Sequence, residues 1–239
     1  MNKIKKIIVL ICPALILEIL SKIRMKYKTN NIQTRTSVVV SSEDKQDLDL
    51  YWDPQMAELL ETWGQDHAWN EIQLLLACSK GKILDIACGT GVTIKIVEKN
   101  KNLEVSGCDI SDFLIEKAIS KGISKDLLKI CDATNMICYA DNSFDFSYSI
   151  GSLEHFTDKG IVDFVSEVYR ITDKLSYHMV PISRNGIDNG WISPYQSYFN
   201  NTEEWWMKKF KTKYKNVSCI NSGWKDTISI GVWFVCSKD

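Results

Sequence analysis

The sequence predicts an α/β domain: a mostly parallel sheet with helices on both faces and an antiparallel strand at one edge. Three observations carry this. From Lys82 onward, short apolar runs alternate with amphipathic stretches. Segments of about 10–15 residues with helical patterning separate most of those runs, the spacing of β-α-β units. The last two runs have no long helix between them, so they can pair antiparallel. Composition agrees. With 239 residues, 45% hydrophobic and 25% charged, the chain is bounded to one or two domains. Long disorder, collagen and a polytopic membrane protein are excluded.

Strands are expected at Lys82–Ile86, Leu103–Asp109, Leu127–Cys131, Phe144–Ile150, Leu175–Val180, Asn216–Ile220 and Ile228–Cys236. Helices are expected near Thr90–Lys99, Asp112–Lys121, Lys159–Ile171 and Glu203–Phe210. Upstream, Met56, Leu59, Leu60 and Trp63 repeat at helical spacing, and Ile72, Leu74, Leu75 and Leu76 mark a second stretch, Trp69–Cys78. Residues 51–80 therefore form a helical N-terminal cap on a core at 81–239. The cap has two readings, a lid over a ligand or simple packing on the sheet.

Residues 1–28 differ from the rest. Seven basic residues face Glu18 alone, whereas the whole chain carries 29 basic and 30 acidic residues and a net charge of -1. The body is therefore acidic, which does not suit a polyanionic partner, and no nucleic acid is expected. Ile7–Leu20 is apolar apart from Pro13 and Glu18. As a helix it would span roughly 21 Å, short of a hydrocarbon core of about 30 Å. A membrane-associated leader, making its contact through residues 4–28 of a cytoplasmic protein, is the expectation. A cleaved targeting peptide and a soluble helix are the other readings, although no small-residue cleavage site follows. Residues 29–50, polar and acidic toward their end, read as a linker.

The eight cysteines include no C-x-x-C pair, and three histidines are too few for a zinc cluster. Reduced cysteines acting as small hydrophobes are expected, with no metal site.

The most informative segment is Lys82-Ile-Leu-Asp-Ile-Ala-Cys-Gly-Thr-Gly91. A buried strand reaches Asp85, and Gly89 and Gly91 turn the chain into a helix where a ligand can approach the backbone. The next strand ends in Asp109, placed to accept the hydroxyls of a ribose. The strand after it runs into Asp132-Ala133, putting a third acid at the same sheet edge. A dinucleotide site would carry a third glycine where this chain has Ile94. A ligand without phosphates fits better.

These segments resemble the class I S-adenosylmethionine-dependent methyltransferases, in particular the small-molecule group that contains ubiquinone-biosynthesis-type enzymes. ILDIACGTG is similar to the family's first motif and VSGCDIS to its second. ICDATNMICYADNSFDFSYSIGSLEHF is similar to the stretch through the fourth strand. The resemblance implies a Rossmann-like, seven-stranded sheet and S-adenosylmethionine as cofactor. It implies that Asp85 orders the methionine end, that the backbone of Ala87, Cys88, Gly89 and Gly91 wraps it, and that Asp109 takes the ribose. Ile110 would pack on adenine, Asp132 and Ala133 would read its edge, and Ile150 completes the set. The chain departs from the family at Thr172-Asp-Lys174, where Lys-Pro-Gly-Gly is usual, so that connection must be built differently.

Methyl transfer from a sulfonium needs positioning and exclusion of water, with a general base only where the acceptor loses a proton. His155, just after the fourth strand, is the candidate base and acceptor-pocket residue; a helix-start histidine is its other reading. Glu154 is expected to be structural or cofactor-facing, His178 a core histidine and His67 exposed. The aromatic segment 181–206 reads as an acceptor pocket or as a packing layer over the sheet. The expected reaction is O- or N-methylation of a small molecule such as a metabolite, lipid precursor or sugar-like compound. A non-catalytic cofactor-fold scaffold and a protein methyltransferase are the alternatives. A DNA amino-methyltransferase would show Asn/Asp-Pro-Pro-aromatic where this chain has Ser149-Ile-Gly-Ser152.

Overall fold

The sheet runs in the order β3-β2-β1-β4-β5-β9-β8. Its strands are β1 (Gly81–Ile86), β2 (Leu103–Asp109), β3 (Leu128–Ile130), β4 (Phe144–Ile150), β5 (Thr172–Ser183), β8 (Asn216–Lys225) and β9 (Ser229–Ser237). A separate ribbon pairs β6 (Trp191–Ile192) with β7 (Tyr198–Phe199). Helices are α1 (Ala68–Leu75), α2 (Val92–Val97), α3 (Asp112–Ser120), α4 (Asp158–Ile171) and α5 (Glu203–Phe210). This computed structural model describes residue 58 and residues 60–192 and 198–238, all within one compact unit, Asp44–Asp239. The expected leader, the linker, Tyr51, Trp52, Met56, Leu59 and Tyr195 lie outside the described residues. Among the described residues no helix is long and apolar enough to cross a membrane.

Five strands are parallel; β9 returns antiparallel to β5, and β8 antiparallel to β9. The seven-stranded sheet and its antiparallel edge are therefore as expected. The central strands are buried on both faces because helices cover both. On one face α1, α2 and α3 bury Ile72, Ile94, Val97, Ile115 and Ala118 against Ile83, Val105 and Tyr148. On the other, α4 and α5 bury Phe164, Val168, Trp206 and Phe210 against Leu84, Val180 and Phe234. In α4 the buried residues are Ile161, Phe164, Val165, Val168 and Ile171, an i, i+3, i+4 stripe, and Thr157 caps its N-terminus by accepting from Gly160 N at 3.0 Å.

Five elements differ from expectation, β8 among them because it runs on from Ile220 to Lys225. Helix α2 begins only at Val92, because Gly91 sits at φ 76°, outside helical space. Residues 61–67 form turns rather than a helix. β5 is twice the expected length, starting at Thr172 straight after α4 without a glycine turn. Its polar start is held by Ser147 Oγ, 2.8 Å from Thr172 Oγ1, and by Lys174, whose Nζ lies 2.6 Å from Asp145 Oδ1. That is how the connection departs from Lys-Pro-Gly-Gly. The β6–β7 ribbon, with two residues per strand, was not expected at all.

Arg170 organises the long loop between β3 and β4. It donates to Met136 O (2.9 Å), Tyr139 O (2.8 Å) and Asp141 Oδ1 (2.9 Å), and to both Glu167 oxygens. Glu167 in turn accepts from Met136 N at 2.6 Å. Arg170→Ala should cost about 1–3 kcal/mol, since two carbonyls lose their donor. Urea unfolding checks this, and an unchanged midpoint would contradict it.

Candidate cofactor and acceptor site

The carboxyl ends of β1, β2 and β4 open onto a cleft with about 510 Å³ of empty space, lined by Leu60, Trp63, Trp69, Asp85, Ala87, Cys88, Gly89, Thr90, Val92, Thr93, Asp109, Ile150, Gly151 and Ser152. This is the sheet edge where ligands bind in open α/β folds.

Its floor is a backbone turn. Ala87 and Gly89 adopt left-handed conformations at φ 57° and 54°, and Gly91 follows at 76°. Ala87 is the unusual member, since a side chain there is strained. The strain holds because Asp109, 4% exposed at the end of β2, fixes the turn: its Oδ2 accepts from Gly89 N at 2.8 Å and its Oδ1 from Ser111 N at 2.9 Å. Burial raises the Asp109 pKa, against the pull of the backbone donors of Ser111, Gly89 and Ile110. Each oxygen keeps acceptor capacity for a further donor.

Asp85 is also buried. Its Oδ2 accepts from Tyr148 OH at 2.9 Å and from Thr93 Oγ1. Burial pushes its carboxyl up to about 7, with the Asp109 charge adding to the rise. Cys88 turns its side chain inward against Gly107, and its amide continues the β1–β2 ladder to Cys108 O at 2.9 Å. Burial raises that thiol too.

Residues 60–71 cover this floor. Leu60 sits over Gly89 and the Trp63 ring over Gly151, each close enough to crowd a side chain at the glycine. Glu61 Oε1 accepts from Thr90 Oγ1 at 2.6 Å and pairs with Lys121. Burial works upward on the Glu61 carboxyl, but the hydrogen bonds from Lys121 and Thr90 outweigh it and hold the pKa below its usual value. On the far side, Glu71 accepts from Gly223 N and Trp233 Nε1, both at 2.7 Å, and Trp63 meets Trp224 edge-on at 6.1 Å. The cap thus rests on the sheet at α1 and reaches over the cleft at Leu60–Trp63.

Beside the cleft, a 3₁₀ turn at Leu153–His155 carries the acceptor-side candidates. Glu154 is buried; its Oε1 lies 3.7 Å from His155 Nε2, and its Oε2 has no hydrogen-bond partner among the described residues. Burial pushes this carboxyl up to about 8. The Tyr198 ring approaches His155 at 6.3 Å. Behind them Phe199, Trp205, Trp206 and Phe210 pack into the core. The aromatic segment is therefore divided: most of its described members are packing, and Tyr198 faces His155.

Of the expected site residues, Asp85, Ala87, Cys88, Gly89, Asp109 and Ile150 come together around the cleft. Gly91 stands behind the turn, against Ala118 and Ile123. Ile110 is 41% exposed just beyond β2. Asp132 spends its Oδ1 on Thr134 N and Oγ1, both at 2.8 Å, with Ala133 buried beside it. These four do not line the cleft, and neither does His155. His178 is a core histidine: Ser149 Oγ lies 2.8 Å from Nδ1, Phe210 stacks on the ring, and burial pushes its pKa down to about 3. His67 is exposed, as expected. Sequence reasoning missed Leu60, Glu61, Thr90, Thr93, Tyr148 and Gly151; only the lid reading of the cap pointed toward the first two. Among the described residues no group of three acids, histidines or cysteines is placed to hold a metal ion.

Comparison with known proteins bears on this geometry. Residues 83–174 match the family model described as a methyltransferase domain. The chain is 30% identical over 115 residues to the O-methyltransferase resE of Aspergillus sclerotiorum, covering 46% of this chain and 43% of that protein. It is 31% identical over 101 residues to the demethylmenaquinone methyltransferase of Thermotoga maritima, covering 41% and 43%. The chain thus spans less than half the length of these curated relatives. Among solved structures, a protein of Pyrococcus horikoshii OT3 superposes with a TM-score of 0.57 at 19% identity, over 79% of this chain and 95% of that one. A SAM-dependent methyltransferase of Methanosarcina mazei gives 0.57 at 18%, over 70% and 96%. Residues 83–174 thus match a methyltransferase domain, and the strand order, the glycine turn and Asp109 agree with that match.

Proposed function

We propose that the cleft binds S-adenosylmethionine and that the chain transfers its methyl group to a small-molecule acceptor entering beside Glu154, His155 and Tyr198. The observation that carries this is the Asp109 carboxylate, buried at the cleft floor and presented beside a left-handed turn. The lining supports the cofactor as a whole. Among the described residues it holds two carboxylates and two tryptophans and no lysine or arginine, which suits a phosphate-free ligand carrying a sulfonium cation.

When bound, S-adenosylmethionine supplies an activated methyl group that moves in line to a nucleophile. Asp109 would hold the ribose, and the Ala87–Gly89 backbone with Asp85 the amino-acid end. Leu60 and Trp63 would exclude water from above. His155 would take a proton from an acceptor hydroxyl or amine where the acceptor has one to lose. Relatives named as O-methyltransferases, and the phosphoethanolamine N-methyltransferase 1 of Triticum aestivum, 34% identical over 82 residues, support a small-molecule acceptor.

Three measurements test this reading. Calorimetric titration of the chain with S-adenosylhomocysteine should show binding, and Asp109→Ala should weaken it by at least about 1.4 kcal/mol, tenfold. A folded wild-type chain that gives no binding heat overturns the proposal. Glu61→Ala removes the link from the cap to Thr90 and Lys121, so S-adenosylhomocysteine should leave roughly threefold faster or more in stopped-flow. An unaltered off-rate would show that the cap is packing and not a lid.

The third concerns Glu154, faced by His155 on its own turn and by Tyr198 from β7. Burial holds its carboxyl at about 8 in the folded chain, above the ordinary value of 4.5. Folding therefore takes up a proton between those values, and stability falls as pH rises through that window. Glu154→Gln cannot ionise, so its stability should decline less than wild type between pH 5 and 8 in denaturant titrations. Equal declines would refute the assignment.

A further inference from the structure

Outside the cleft, two thiols meet. Cys131, buried at the end of β3, and Cys138, exposed in the following loop, have their sulfurs 2.9 Å apart. The frame around them is fixed. Cys131 N donates to Asp109 O at 2.9 Å. At the other end Glu167 and Arg170 hold Met136, and Arg170 holds Tyr139 O. Between these anchors the chain turns at Asp132, whose backbone oxygen accepts from Asn135 N at 3.0 Å while its side chain binds Thr134. Lys129 reaches the Cys138 carbonyl oxygen at 3.0 Å. A disulfide needs a separation of about 2.05 Å, so the sulfurs have less than an ångström to close.

We propose that Cys131 and Cys138 form a thiol–disulfide site, oxidised by a hydroperoxide such as hydrogen peroxide, and that the crosslink locks the Asp132 turn. The exposed Cys138 sulfur attacks the peroxide; the O–O bond breaks, giving a sulfenic acid and one water. The Cys131 sulfur then attacks the Cys138 sulfur; the S–O bond breaks, and the hydroxide leaves with the Cys131 proton as a second water. Two thiols and one peroxide become one disulfide and two waters. The order follows from exposure. Burial, with Cys138 alongside, pushes the Cys131 thiol up to about 12, so the first attack falls to Cys138.

The lock has a consequence that rests on the function proposed above. The turn borders the sheet edge beside Asp109, through the bond from Cys131 N to Asp109 O. Fixing it before binding removes part of the ordering cost, so the oxidised chain holds S-adenosylhomocysteine more tightly.

The test uses the full chain, treated with hydrogen peroxide, alkylated and digested with trypsin without reduction. Both cysteines fall in the tryptic peptide 130–159. That peptide should lose two hydrogens and take up no alkylating agent, and Cys138→Ser should abolish the loss. Titrated in parallel, the oxidised chain should bind S-adenosylhomocysteine about two- to fivefold more tightly than the reduced chain, with no difference in Cys138→Ser. Full alkylation of both cysteines after peroxide overturns the site. A crosslinked peptide with unchanged or weaker affinity overturns the lock. If the reduced chain binds no S-adenosylhomocysteine, the proposed function fails while the peptide mass still decides the thiol site.

Discussion

The Asp109 carboxylate is the point on which the site is assembled. One oxygen takes the amide of Gly89 and the other the amide of Ser111, so a single side chain joins the loop after β1 to the loop after β2. The joined loops continue the parallel register in which Ile86 stands against Cys108. They also keep Ala87 in a left-handed conformation that the residue would otherwise avoid. Asp109→Ala would leave the Gly89 and Ser111 amides without their acceptor, and each such loss costs about 1–3 kcal/mol. The carboxylate therefore shapes the cleft before any ligand enters it.

That arrangement concentrates negative charge. Asp85 and Asp109 both line a cleft that has no basic residue in its wall among the described residues. Burial raises both carboxyls, and the Asp109 charge adds to the rise at Asp85. Donors offset part of the cost: Thr93 and Tyr148 at Asp85, backbone amides at Asp109. Glu154 has less help, with one oxygen unpartnered and His155 as its neighbour. A cation entering the cleft would relieve the repulsion between the acids, whereas a phosphate would add to it. Electrostatics and the glycine pattern thus select against the same ligands, for different reasons.

Much of this was legible in the sequence because it lies where strands end. Asp85, Gly89 and Asp109 announce themselves as acids and glycines at the carboxyl ends of apolar runs, and β4 falls where its apolar patterning puts it. What was not legible depends on partners distant in sequence. The polar Thr172-Asp-Lys174 looks like a turn, yet it is strand because Ser147 and Asp145 stand beside it to satisfy its side chains. Glu61 looks like any surface acid; its contact with Thr90 spans 29 residues and exists only once α1 is seated by Glu71 on the β8–β9 hairpin. Asp132 has the right position for a ligand acid, but Thr134, two residues on, uses one of its oxygens. A local hydrogen bond of that kind competes with the functional reading and leaves no trace in the spacing.

The two halves of the site are built by different means, and this limits what the relatives can teach. Under the proposed function, the floor of the cofactor half is mostly backbone and strand-end acids within the segment that matches the methyltransferase domain, residues 83–174, while Leu60, Trp63 and Trp69 of its wall precede that segment. On the acceptor side Glu154 and His155 fall inside that segment. Tyr198, Phe199 and Trp205 follow β5 and fall outside it. Backbone geometry tolerates sequence change, so the turn and Asp109 can persist while the residues facing the acceptor vary. The match to the methyltransferase domain ends at residue 174, before Tyr198, Phe199 and Trp205. Under the proposed function, acceptor choice is therefore a property of the β5–α5 segment, to be read from this chain's own residues.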